Sequence, residues 1–78
     1  MNGKGVTLDL TRAEALVLFE WLAQHDSAMK LPVEDEAEQK VLWTLEAQLE
    51  KALDEPFASN YADLLANARA EVRDSHRN

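Results

Sequence analysis

The sequence predicts a mainly α-helical domain, a short N-terminal β-strand followed by three helices packed as a small bundle. Three observations carry this. Three stretches repeat apolar residues at helical spacing, each opens on a capping or acidic signal, and one five-residue run alternates instead. With 78 residues there is room for a single small domain, expected to span 1–78 with frayed ends at 1–5 and 74–78.

The alternating run is Val6-Thr7-Leu8-Asp9-Leu10, the pattern of a half-buried strand. Thr11 follows, with Glu14 three residues on. This is a capping box, in which hydroxyl and carboxylate satisfy backbone donors reciprocally. It predicts a first helix from about Arg12 to about His25. Its main stripe is Ala15, Leu18, Phe19, Leu22 and Ala23, with Leu16 at the edge. Val17 and Trp21 fall on the far side beside Ala13, so this helix is apolar nearly all round. Ser27–Val33 reads as an extended loop.

A second helix is expected after Pro32, opening on the acidic run Glu34–Glu36 that suits a helix N-terminus. It should extend to about Leu53, before Asp54-Glu55-Pro56 stops it. Its stripe is Val41, Leu42, Leu45, Leu49, Ala52 and Leu53, with Trp43 opposite. Phe57–Ser59 is a short link. Asn60 opens a third helix to about Arg73, with Tyr61, Leu64, Leu65, Ala68 and Val72 on one face.

The charge narrows the partners. Fifteen acidic and eight basic side chains give −7. Residues 34–55 hold eight acidic side chains against Lys40 and Lys51, a net of −6. Phosphate neutralisation dominates nucleic-acid affinity, so no nucleic-acid partner is expected, the third helix with Arg69, Arg73 and Arg77 being the only candidate element. Anionic membrane surfaces are disfavoured for the same reason. No apolar run is long enough to span a bilayer and no export signal is present, so the expected location is cytoplasmic. A basic protein surface is compatible with this charge, as is solubility alone.

Chemistry is sparse. Without cysteine there is no disulfide or thiolate metal site. His25 beside Asp26 and Ser27 is a sequence neighbourhood, and triads are defined by geometry in space. Glu34, Asp35, Glu36 and Glu38 are oxygen donors without the spacing or glycine of a calcium loop. Glu20, set among apolar positions, reads as a solvated or paired carboxylate at the core's rim. Gly3 and Gly5 precede the strand, so no phosphate-cradling loop forms. The expectation is therefore no enzyme, no cofactor and no metal.

Two features ask for a partner. A lone strand leaves its backbone unpaired, and Trp21, Trp43 and Val17 lie off the inward faces, where tryptophan commonly anchors interfaces. One small fold does not easily cover both sides of the first helix. The leading reading is a protein-interaction module, such as a regulatory or antitoxin/immunity-like subunit. A homodimer paired through Val6, Leu8 and Leu10 would satisfy the strand. Two alternatives stand beside it: the tryptophans are covered by a loop or chain end, and the strand pairs with Met29–Val33. A different class of function is a small-ligand- or metal-responsive site around His25, Asp26 and Glu34.

The segments LTRAEALVLFEWLA (10–23) and AEQKVLWTLEAQLE (37–50), with Glu55-Pro56-Phe57 and Tyr61-Ala62-Asp63-Leu64-Leu65, resemble a group of small bacterial proteins without an assigned function. The resemblance covers most of the chain. It implies a bacterial source and a stand-alone protein, and brings no activity or site residue with it.

Overall fold

The computed structural model describes residues 5–27 and 34–75, and among these it is a three-helix protein. Helix α1 is Arg12–Ser27, α2 is Glu36–Ala52 and α3 is Tyr61–Ser75, with a single 3-10 turn at Glu55–Phe57. The described residues include no strand.

Each helix starts where local chemistry satisfies its free N–H groups. At α1 the capping box forms in both directions. Thr11 N–H donates to Glu14 Oε1 at 2.8 Å, and Glu14 N–H donates to Thr11 Oγ1 at 3.0 Å. At α2 the N-cap is Asp35, whose Oδ1 accepts from Ala37 N–H at 2.7 Å. Glu38 Oε1 accepts from Glu34 N–H at 2.8 Å. At α3 the Asn60 carbonyl accepts from Asp63 and Leu64 N–H groups.

Helix α2 ends because Leu53 turns extended, with φ −109° and ψ 135°. That turn carries the Leu53 side chain into the core. Pro56 then sits inside the 3-10 turn, where its missing N–H costs nothing. Helix α3 runs two residues past its expected end, to Ser75, whose hydroxyl donates to the Val72 carbonyl.

The core consists of Leu16, Phe19, Leu22, Leu49, Leu53, Leu65 and Ala68. Leu22, 1% exposed, is its centre. Burying one such side chain contributes roughly 1.5–3 kcal/mol, so seven positions supply a modest total against chain entropy. Helix α1 is the central element: α2 and α3 each pack on it, α3 the more extensively, and they make little contact with each other.

That arrangement corrects three expectations. The two flanks of α1 meet two different helices, which cover most of its apolar girth and leave Trp21 exposed. Leu16, assigned to the edge of the stripe, is therefore deep in the core, and Val17 packs partly buried against it. On α2, which packs chiefly on α1, only a narrow strip is covered; Val41 and Ala52, placed on the inward stripe, are exposed.

The third correction concerns Val6–Leu10, which forms no strand. Alternation fixes which side chains share a face, but a strand also needs a ladder partner. The proposed pairing segment Met29–Val33 lies outside the described residues, as do residues 1–4 and 76–78.

Candidate functional site

An open groove of about 870 Å³ lies between the N-terminal segment and α2. Val6, Leu8 and Leu10 form one wall; Val41, Leu45 and Leu49 are prominent on the other, with Ala15 of α1 also contributing. The period of two along the segment brings its three apolar side chains to the same groove. They are poorly covered there: Val6 is 88% exposed and Leu8 71%, facing Val41 at 65%. Among the described residues of the lining, Lys40 is the one that is charged, and Thr7, Thr44 and Gln48 supply polar atoms.

Trp43 lies elsewhere on α2. At 100° per residue it points about 160° from Val41 and Leu45, so the groove and Trp43 occupy opposite flanks. Trp43 is 50% exposed. Glu46 and Glu50 follow it at one and two turns, and Gln39 precedes it by one, giving an aromatic surface set among carboxylates.

Trp21 is 43% exposed on the outer side of α1. Its ring stacks on His25, with centroids 4.2 Å apart and planes inclined by 29°. His25 Nδ1 lies 2.8 Å from the Trp21 carbonyl oxygen. A carbonyl only accepts, so Nδ1 carries the proton, and the imidazole closes the last turn of α1. This fixes the ring as a structural cap and aromatic neighbour.

The six residues expected at an interface thus fall into three places. Val6, Leu8 and Leu10 share the groove; Trp21 and Trp43 stand on separate exposed surfaces; Val17 packs on the core. Sequence periodicity missed Val41 as a groove residue, having placed it inward. It also missed Phe57, 75% exposed in the 3-10 turn, because a link residue carries no face assignment.

Two polar constellations hold the helices around these surfaces. Arg12 is a fork on Glu55: Nε donates to Oε2 at 2.7 Å and Nη2 to Oε1 at 3.0 Å. Asp54 N–H also donates to Glu55 Oε1. The hydrogen bond from Arg12 holds the Glu55 carboxyl below its usual pKa. Arg12 also approaches the Ala52 carbonyl, so it ties the start of α1 to the end of α2. On the other flank Tyr61 O–H donates to Glu20 Oε1 at 2.5 Å, and Gln24 Nε2 donates to Glu20 Oε2 at 2.6 Å. Glu20 is the paired rim carboxylate its sequence position suggested. Burial, and then the Glu20 carboxylate, push the Tyr61 phenol far above its ordinary pKa.

The carboxylates at the start of α2 cap the helix, as described for Asp35 and Glu38. Among the described residues no three His, Asp or Glu side chains gather as a metal site would require. The side chain of Asp26, one third of the proposed His25–Asp26–Glu34 site, lies outside the described part. No described helix is long and apolar enough to cross a membrane.

No family model matches the chain, and no curated protein or solved structure matches it significantly. The functional reading therefore rests on the surfaces alone.

Proposed function

We propose that this chain is a protein-interaction module, a regulatory or antitoxin/immunity-like subunit that works by covering part of a partner protein. One observation carries the reading: large apolar side chains stand outside the core formed by the described residues, at Val6, Leu8, Val41, Trp21 and Trp43. Val6, Leu8 and Val41 share the groove, and contiguous exposed apolar surface of that kind is a cost that binding surfaces commonly explain.

The groove is the apolar surface for a polypeptide, and the Trp43 flank is the surface for a basic one. Tryptophan supplies a large contact area at low entropic cost. The acidic residues of 34–55 steer a positively charged partner toward it and raise its on-rate. The homodimer expected from the sequence belongs to the same reading, as does a cytoplasmic location. No catalytic role, cofactor or metal enters it.

The test is affinity capture with the tagged protein beside a Trp43→Lys variant. The reading expects a basic protein captured by the native chain, weakened by salt and lost with the variant. The ligand- or metal-responsive alternative around His25, Asp26 and Glu34 makes a separate prediction, a thermal midpoint raised by divalent cations.

A further inference from the structure

We infer that the occupant of the groove is the Val6–Leu10 segment of a second copy of this chain, paired antiparallel to the first about a twofold axis through Leu8. The inference rests on reading the groove as a protein-binding surface, and adds its occupant and register.

The segment is prepared for a strand partner. Among the described residues, no backbone hydrogen bond uses the N–H or C=O groups of Val6 through Leu10. Its apolar side chains already share one face along the groove. An exposed edge of this kind is completed by adding a strand, whose main chain supplies the missing bonds.

Self-complementarity selects a second copy. Centred on Leu8, antiparallel pairing sets Leu8 opposite Leu8, Val6 opposite Leu10 and Thr7 opposite Asp9. All six apolar side chains fall on one face, and no two carboxylates are directly opposed. Shifting the centre by one residue, onto Asp9, sets Asp9 against Asp9, which like-charge repulsion disfavours.

Electrostatics select the same place. Two chains of −7 repel, and α2 carries carboxylates on most of its surface. Among the described residues the groove lining has none, and its charged residue there is Lys40. Two copies therefore meet there without stacking acidic side chains. The twofold makes the contact reciprocal, each segment entering the other's groove. Trp43, on the opposite flank of α2, stays outside this contact in both copies.

The chain has no cysteine, so single cysteines report the register directly. Sedimentation equilibrium is expected to give twice the 8.8 kDa chain mass. Leu8→Asp, which alters a residue outside the core, should give the single-chain mass with an unchanged helical spectrum. On oxidation Leu8→Cys should form a covalent dimer. Thr7→Cys should not do so alone but should link when mixed with Asp9→Cys. A single-chain mass for the native protein at every concentration overturns the second copy as occupant. A dimer mass that Leu8→Asp leaves intact, or a dimer in which Leu8→Cys does not link, overturns the placement at Leu8. Neither result alters whether Trp43→Lys loses a captured partner, so the interaction reading is judged separately.

Discussion

Tyr61 of α3 donates its phenolic proton to Glu20 of α1 at 2.5 Å, across the most extensive helix–helix contact in the protein. A hydrogen bond to a charged acceptor is worth roughly 1.5–3 kcal/mol, more than a neutral one. Tyr61→Phe should lower stability by about 1.5–3 kcal/mol on that basis, read from a shift of the urea midpoint at unchanged slope.

The same bond has an alkaline signature. Tyr61 is the only tyrosine, so tyrosinate absorbance reports on it alone. Its folded pKa is raised above its unfolded value of 10.0. Its contribution to stability is therefore complete below pH 10 and is lost as pH rises toward the folded pKa. Tyrosinate should appear in the native protein only as the fold opens, and at lower pH in Glu20→Gln.

Glu55 has the opposite sign. Its folded pKa is lowered beneath 4.5 by Arg12, so its contribution is present above that value and lost as pH falls through the folded pKa. Glu55→Gln should be less stable than the native chain at pH 7. Urea melts of the two should converge under acid, where the native carboxyl is also neutral.

The capping box and the core give the remaining magnitudes. Thr11→Ala removes the acceptor for Glu14 N–H and should cost about 1 kcal/mol. Leu22→Ala opens a cavity at the most buried position and should cost about 2–5 kcal/mol. In a domain of this size the second value approaches the whole stability, and far-ultraviolet circular dichroism at rising temperature would show the loss directly.

Much of this fold is legible in the sequence because it is local. Thr11 and Glu14, the acidic opening of α2 and the proline at 56 act within one turn of the chain, and they placed the helices within a few residues. The third helix's stripe is legible too, and its Leu65 and Ala68 are buried in the core. What the sequence did not show is which helix lies in the middle. Leu16 and Val41 were misplaced because a face is defined by its neighbours: α1 has two and α2 chiefly one. The strand at Val6–Leu10 failed for a related reason. Its pattern specifies a face, whereas its ladder depends on a second segment. The site was partly legible. Periodicity sets Trp21 and Trp43 off the inward faces, and both are exposed, but the meeting of Val6, Leu8 and Leu10 with Val41 follows only from the packing of α2.

Trp21 and Trp43 stand outside the core of the chain. They are the only tryptophans, so Trp21→Phe and Trp43→Phe each leave one reporter. The most direct measurement is collisional quenching of each variant's fluorescence by acrylamide, native against urea-unfolded. Quenching in the native state is expected to approach that of the unfolded chain, more fully for Trp43 than for Trp21, which His25 covers on one face. Two tryptophans shielded in the native state would place them in a covered core and remove the anchor of the interaction surface.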